Sequence, residues 1–129
     1  MKELLFVAGG GAMGAISRYL VFVAAANLFG PNYPFGTLIV NVVGSFVLGV
    51  VAEGAAIAWT IPAQAQLFIA VGFLGAFTTF STFSLDVAVL YERGELLAVA
   101  AYILASVILS VGGLFAGLFV VRRLLAPVI

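Results

Sequence analysis

The stretch Gly72-Phe-Leu-Gly-Ala-Phe-Thr-Thr-Phe-Ser-Thr-Phe-Ser84 lies inside the third of four long apolar runs of the sequence. It contains five hydroxyl side chains, two glycines and four phenylalanines. A helix that only crossed a bilayer would use Leu, Ile and Val at this depth, so this composition predicts a helix that is broken near its middle. Irregular backbone is tolerated within a membrane only where protein or a water-filled path surrounds it, and broken helices often mark ion or substrate sites.

The overall composition indicates a membrane protein. Of the 129 residues, 65% are hydrophobic and 8% are charged, whereas a soluble domain has about 45–50% and about 25%. A chain this short cannot bury so much apolar surface in water, so lipid is its solvent. Five basic and five acidic residues give no net charge, which argues against a nucleic-acid partner. The absence of His and Cys excludes the common zinc sites, thiol chemistry and disulfides.

Four apolar runs are each long enough to cross a hydrocarbon core, which needs about 20 helical residues. We therefore predict an all-α membrane protein with four transmembrane helices in a single domain, residues 1–129, with the third helix broken near its middle. The N-terminal segment lacks the short apolar region and cleavage site of a secretory signal, so the first run is interpreted as a span. The predicted spans are residues 4–29, 36–59, 65–91 and 96–125, with bounds that are approximate.

The distribution of charge leaves the orientation of the chain open. The connections between the spans are short, so neighbouring helices are antiparallel and both termini lie on one side. That side carries Lys2, Arg122 and Arg123, and the other side carries Arg93. Because so few charges give a weak orientation signal, two interpretations remain. Either the termini are cytoplasmic, or the chain inserts both ways round and two copies pair in opposite orientations.

Small residues and one deep arginine distinguish the first and last spans. Gly10 and Gly14, and likewise Gly113 and Gly117, have the spacing that allows helices to approach closely. Arg18 falls well inside the first run, where an arginine costs at least about 2.5–3.5 kcal/mol on insertion scales. We expect it to face a wet cavity, a partner or an anion, or alternatively to extend its side chain to the membrane interface.

Two stripes of polar side chains recur at helical spacing. The second span carries Thr37, Asn41 and Ser45, and the fourth carries Tyr102, Ser106 and Ser110. Residues four apart lie on one face of a helix. Each stripe could hold helices together by hydrogen bonds, but two stripes that face each other would line a narrow polar track.

The residues available for such a track favour an anion. The acidic residues Glu53 and Asp86 lie towards span ends, whereas cation pathways use acidic rings or carbonyl filters and proton-coupled carriers use a buried carboxylate. Phe80 and Phe83 share a helix face, and the positive edge of an aromatic ring can partner an anion. The alternative is that these rings face lipid or pack in the core. One chain encloses little more than its own core, so a conduction path needs at least two copies.

Three segments resemble the Fluc family of small fluoride channels: GGAMGAISRY at residues 10–19, GTLIVNVVGSFVLG at residues 36–49 and GFLGAFTTFSTFS at residues 72–84. The resemblance extends through all four spans. It implies an antiparallel, dual-topology homodimer in the inner (plasma) membrane of a cell, with two pores that export fluoride passively. It implies no enzymatic activity.

The resemblance also implies roles for individual residues. The carbonyls of Gly75 and Thr78 would hold a structural sodium ion (Na+) on the dimer axis, and Arg18 would belong to an electropositive vestibule. One departure is Ala76, where the family pattern has a second glycine, and this concerns the turn beside the sodium site. The residues assigned to the fluoride pore are Phe80, Phe83, Asn41, Ser81, Thr82, Tyr102, Ser106 and Ser110.

Other classes of function fit the sequence less well. A small proton-coupled multidrug exporter also has four spans, but it needs an acid embedded in the membrane, and the first span offers Arg18 instead. A non-transporting accessory subunit would leave the polar stripes without a role. No nucleophile–base pair, metal-ligand set or carboxylate pair points to an enzyme.

Overall fold

The computed structural model describes residues 1–125, and these residues form four helices long and apolar enough to cross a membrane. They are α1 (Lys2–Phe29), α2 (Phe35–Ile57), α3 (Ala63–Glu92) and α4 (Leu96–Leu125). No strand occurs in this part of the chain. The predicted all-α membrane class is confirmed, and the helix bounds differ from the predicted spans by up to two residues. Residues 126–129 of the predicted domain lie outside the described residues.

The connections between helices place the start of α1 and the end of α4 on one side of the bundle. The α1–α2 connection begins at Gly30, whose φ of 83° suits a residue without a Cβ. Nη1 of Arg93, just after α3, donates to the carbonyl of Asn32 at 2.8 Å, so the first and third connections meet at the same end of the molecule. At the opposite end, Nε of Arg122 in α4 pairs with Oε1 of Glu53 in α2 at 2.6 Å.

Glycines bring α1 and the first part of α3 into backbone contact. A Cβ added to Gly10 would collide with the carbonyl of Phe68, and one added to Gly14 would collide with the carbonyl of Phe73. A Cβ at Gly72 would in turn press on the backbone of α1 at Gly10. The predicted use of Gly10 and Gly14 for close helix packing is confirmed.

The same kind of contact joins α2 to α4. A Cβ at Gly49 would collide with the carbonyl of Leu114, and one at Gly117 would collide with the carbonyl of Phe46. Gly113 lies slightly farther from α2, where an added Cβ would be 3.2 Å from the carbonyl oxygen of Val42. The most extensive helix contacts in the described chain are therefore α1 with α3 and α2 with α4, which are not neighbours in sequence.

Helix α3 changes its geometry along its length. It is α-helical over Ala63–Gln66, π-helical over Leu67–Leu74 and α-helical again over Gly75–Phe77. Two extended residues follow, and the helix resumes at Phe80–Glu92. The predicted break is confirmed, whereas the π-helical part was not predicted. A π-helix has wider turns than an α-helix and often occurs near functional sites.

The break consists of Thr78 and Thr79, with φ values of −84° and −154°. Because both residues are extended, no left-handed conformation is required, and Ala76 fits without strain in place of a glycine. The side chain of Thr79 caps the second half of α3, since its Oγ1 accepts from the backbone N–H of Thr82 at 3.1 Å.

The amide of Asn41 satisfies the backbone at the break. Its Nδ2 donates to the carbonyl of Thr79 at 3.0 Å, and its Oδ1 accepts from the N–H of the same residue at 2.8 Å. An unsatisfied backbone group in hydrocarbon costs several kcal/mol. The second span therefore supplies the two hydrogen bonds that the interrupted helix cannot make for itself.

We predict that Asn41→Ala destabilises the fold by about 1–3 kcal/mol, because it leaves a buried donor and acceptor of Thr79 unpaired. The measurements are the free energy of unfolding in mixed detergent micelles and the hydrogen-exchange rate of the Thr79 amide. Ser45→Ala is the matched control, because Ser45 lies one turn along the same stripe and its side chain makes no hydrogen bond within residues 1–125. Equal stability of both variants would contradict the role given to Asn41.

Candidate functional site

A cavity of about 380 Å³ opens at the interruption of α3, between α2, α3 and α4. We call it the break cavity. Its lining combines polar side chains with aromatic rings, and no acidic or basic side chain of the described residues lines it. The polar lining residues are Asn41, Ser45, Thr78, Thr79, Ser106 and Ser110, and the rings are those of Phe80 and Phe83.

Two of these polar groups lack a partner. The hydroxyls of Ser106 and Ser110 are buried and make no hydrogen bond to any described residue. Ser106 is 6% exposed, so bulk solvent in this single chain does not account for it. A hydroxyl carries one donor and two acceptor sites, and buried polar groups are nearly always hydrogen-bonded. These two hydroxyls could therefore hydrogen-bond a small polar molecule or ion in the cavity, next to α4.

The two phenylalanines lie side by side at the cavity. The ring centroids of Phe80 and Phe83 are 5.4 Å apart, which confirms that they share a face. Phe83 is buried and packs on Tyr102 with centroids 5.2 Å apart. Phe80 is 78% exposed in the single chain. One ring thus belongs to the interior and the other stands at the open side of the cavity.

The carbonyls of Gly75 and Thr78 are released from regular helical bonding. In an uninterrupted α-helix they would accept from the N–H groups of Thr79 and Thr82. Here those two N–H groups are bound by Asn41 Oδ1 and by Thr79 Oγ1. Neutral carbonyl oxygens suit a sodium ion, as in other broken membrane helices. A single chain offers two of them at this point, so the residues fit a shared cation site better than a site within one copy.

The break also sets two helix ends of opposite polarity close together. The first half of α3 ends at Phe77, where carbonyls carry partial negative charge, and the second half begins at Phe80, where N–H groups carry partial positive charge. The first N–H groups of a helix have no intrahelical partner. Acceptors for a cation and donors for an anion are therefore adjacent in the middle of the bundle.

A second cavity, of about 320 Å³, lies at the end of the bundle where the first and third connections meet. We call it the loop-end cavity. Thr37, Thr82, Asp86 and Arg93 are among its lining residues. The hydroxyl of Tyr102, which is fully buried, donates to Oδ2 of Asp86 at 2.8 Å.

Sequence reasoning missed the contact of Asp86 with a predicted pore residue, because it placed this carboxylate only towards a span end. One signal was available. Asp86 is three residues after Phe83 and so lies on the same face of the helix. Asp86 was predicted to lie towards a span end, and it lines the loop-end cavity, near the connections.

The structure divides the residues assigned to the pore. Asn41, Phe80, Phe83, Ser106 and Ser110 line the break cavity, together with Gly75 and Thr78. The other residues assigned to the pore do not line it: Ser81 is exposed, Thr82 borders the loop-end cavity, and Tyr102 is buried between the two cavities. Arg18, which was assigned to the vestibule, lines neither cavity.

Helix geometry explains this division. Residues one and two positions after Phe80 point away from the cavity, because each residue of an α-helix turns about 100° from the last. Arg18 lies on α1, which packs on the first part of α3 rather than on the break cavity. The assignment of the eight residues to a fluoride pore stays a prediction, and so does the assignment of Arg18 to a vestibule.

Comparison with known proteins identifies the family. A relative from Rhodospirillum centenum is 52% identical over 126 residues, which cover 98% of this chain and all of the relative. Relatives from Nitrobacter winogradskyi (50% identical, 92% of this chain and 94% of the relative) and Agrobacterium fabrum (49% identical, 96% and 99%) match similarly. All three are named fluoride-specific ion channel FluC. Residues 5–118 match the family described as "CrcB-like protein, Camphor Resistance (CrcB)", and the chain belongs to that family.

Proposed function

We propose that this protein is a fluoride-selective passive channel that exports fluoride through the membrane it spans. The main observation behind the proposal is the pair of buried hydroxyls of Ser106 and Ser110. Within the described residues, they have no hydrogen-bond partner and the cavity around them has no charged lining side chain. Fluoride accepts hydrogen bonds and donates none, so it can satisfy these donors. The relatives named as fluoride-specific ion channels support the same ion.

The chemistry of the break cavity suits a small anion in transit. Donors are available from two serines, from Asn41 and from the first turn of the second half of α3. The ring edges of Phe80 and Phe83 add weak positive potential. A fixed positive charge would hold an anion strongly and slow its release, whereas conduction requires binding that is weak enough to let the ion leave. Neutral donors meet that requirement.

We propose further that two copies assemble in opposite orientations, in the inner membrane of the cell. Phe80 stands largely exposed at the open side of the break cavity, so a second copy there would enclose the path. The charge difference between the two ends is small, which permits insertion both ways. A dimer of opposed copies would contain two equivalent break cavities and hence two pores.

A structural sodium ion on the dimer axis belongs to the same proposal. The redirected hydrogen bonds of Thr79 and Thr82 leave the carbonyls of Gly75 and Thr78 available. Two copies would offer four such oxygens. A bound cation would stabilise the contact between copies and raise the positive potential near the path.

We predict that purified protein in liposomes releases fluoride down its gradient and discriminates against chloride by more than about tenfold, which corresponds to about 1.4 kcal/mol. A fluoride electrode and a chloride electrode measure the two initial rates. Chloride release at a similar rate would reject selectivity, and fluoride release that depends on a proton gradient would favour an exchanger instead of a channel.

The variants Phe80→Ile and Phe83→Ile test the two rings of the cavity in the same assay. We expect slower fluoride release, because isoleucine lacks the positive ring edge. Phe115→Ile is the matched control, since Phe115 is 63% exposed and lines neither cavity. Unchanged flux in both cavity variants would assign the rings to packing.

We predict dual topology, and the absence of cysteine in the chain makes it measurable. Single-cysteine variants Gln64→Cys and Glu95→Cys place a thiol in exposed positions at opposite ends of the bundle. A membrane-impermeant thiol reagent applied to sealed cells should label about half of each variant, because both orientations are present. Full labelling of one variant and none of the other would establish a single orientation and overturn the antiparallel dimer.

We predict that sodium stabilises the assembly. Replacing sodium by N-methylglucamine should lower the thermal midpoint of the purified protein. The lost stabilisation amounts to about 2.7 kcal/mol when sodium had been present at one hundred times its dissociation constant. The Asn41→Ala variant should show a smaller dependence, because the loosened break no longer presents its carbonyls in register. Identical midpoints for the unaltered protein in both salts would contradict a sodium site.

A further inference from the structure

Arg93 is the basic residue that the structure places at a cavity. All five basic residues of the chain lie within residues 1–125, and of these only Arg93 lines the break cavity or the loop-end cavity. Arg18, to which sequence reasoning assigned an electropositive vestibule, lines neither. The positive charge next to a polar cavity therefore comes from the end of α3 and not from α1.

The loop-end cavity continues the polar track of the break cavity. On α2, Thr37 lines the loop-end cavity and Asn41, one turn later, lines the break cavity. On α3, Thr82 lines the loop-end cavity and the next residue, Phe83, lines the break cavity. A buried layer that contains Phe83 and Tyr102 lies between them. If the break cavity belongs to an ion path, the loop-end cavity is the approach to it from this end of the bundle.

This approach contains a negative charge. The carboxylate of Asp86 lines the loop-end cavity and is held there by the hydroxyl of Tyr102. An anion that moves towards the break cavity must pass this carboxylate, which repels it. Among residues 1–125, no charged side chain lines the break cavity to compensate for it.

Arg93 is positioned to provide that compensation. Its Nη1 donates to the carbonyl of Asn32 at 2.8 Å, which holds the side chain across the gap between the end of α3 and the α1–α2 connection. A guanidinium has five N–H donors, and this hydrogen bond uses one of them. Arg93 is exposed, so its charge faces water at the outer edge of the cavity, where arriving ions first encounter the protein.

We propose that Arg93 selects the charge of the ions that enter the loop-end cavity. It offsets the field of Asp86 and raises the local concentration of anions, and its effect is on access and not on the break cavity. This inference rests on the proposed function, because it assigns a residue to the approach of the same path. Focusing of this kind raises association rates by about tenfold or more and weakens as ionic strength rises.

The test compares initial fluoride release from liposomes that contain the unaltered protein, Arg93→Gln or Arg93→Lys, at fluoride concentrations below saturation. Each protein is assayed at ionic strengths of about 0.01 M and about 1 M, where charges are screened beyond about 30 Å and about 3 Å. We expect Arg93→Gln to be slower by about threefold to tenfold at the low ionic strength and nearly equal at the high one. Arg93→Lys keeps the charge and should retain most of the rate at both.

Two further variants complete the design. Arg123→Gln is the matched control, because Arg123 is an exposed arginine at the opposite end that lies over the ring of Phe119 and lines neither cavity. We expect its rates to equal those of the unaltered protein. Arg18→Gln tests the residue that sequence reasoning assigned to the vestibule, and we expect it to lack the salt-dependent loss.

The outcomes distinguish failure of the proposed channel from failure of the inference about Arg93. Fluoride release by the unaltered protein tests the channel, independently of any Arg93 variant. If Arg93→Gln lowers the initial rate of fluoride release equally at both ionic strengths, and Arg93→Lys does not restore it, Arg93 only holds the α1–α2 connection in place. That result would overturn the inference. Unchanged flux in Arg93→Gln, or a salt-dependent loss in Arg18→Gln alone, would also overturn it. Gel filtration of each variant before reconstitution verifies that the compared proteins are folded.

Discussion

Backbone groups inside a bilayer must find partners within the protein, and the whole site depends on how this chain meets that constraint at two residues. Thr78 and Thr79 are extended in the middle of a membrane helix. One side chain, Asn41, bonds both backbone groups of Thr79. Because of these two hydrogen bonds, the helix can end and begin again. Backbone N–H and C=O groups at the ends of its two halves then face a cavity, whereas in a continuous helix they would bond to each other.

The interruption places hydrogen-bond acceptors and hydrogen-bond donors close together in the bundle. Hydrogen bonds that would close the helix are redirected to side chains, and this releases the carbonyls of Gly75 and Thr78. Donors come from the next turn of α3 and from the serines of α4, which line the same cavity. The polarity of the site comes mainly from backbone and hydroxyl groups, so it requires no buried ionised side chain.

The sequence was sufficient to predict the spans, the break and the two stripes, because each depends on local composition or helical spacing. The hydroxyl-rich stretch marks the break, and the spacing of Ser106 and Ser110 places them on one face. Features that depend on contacts between distant segments were not predicted. The π-helical Leu67–Leu74 packs closely on α1, and the hydrogen bond of Tyr102 to Asp86 joins residues sixteen positions apart. The position of Arg93 at a cavity depends likewise on the fold of the α1–α2 connection.

The glycine contacts of the bundle have a consequence for biogenesis. Helix α1 packs closely on α3, and α2 packs closely on α4, so the tightest partners are interleaved along the chain. During synthesis, α2 lacks this partner until α4 has emerged, because the backbone that packs on Gly49 of α2 belongs to α4. The contact of α1 with α3 can form earlier, so the tight packing of the bundle forms in two steps, and the contact of α2 with α4 is the second.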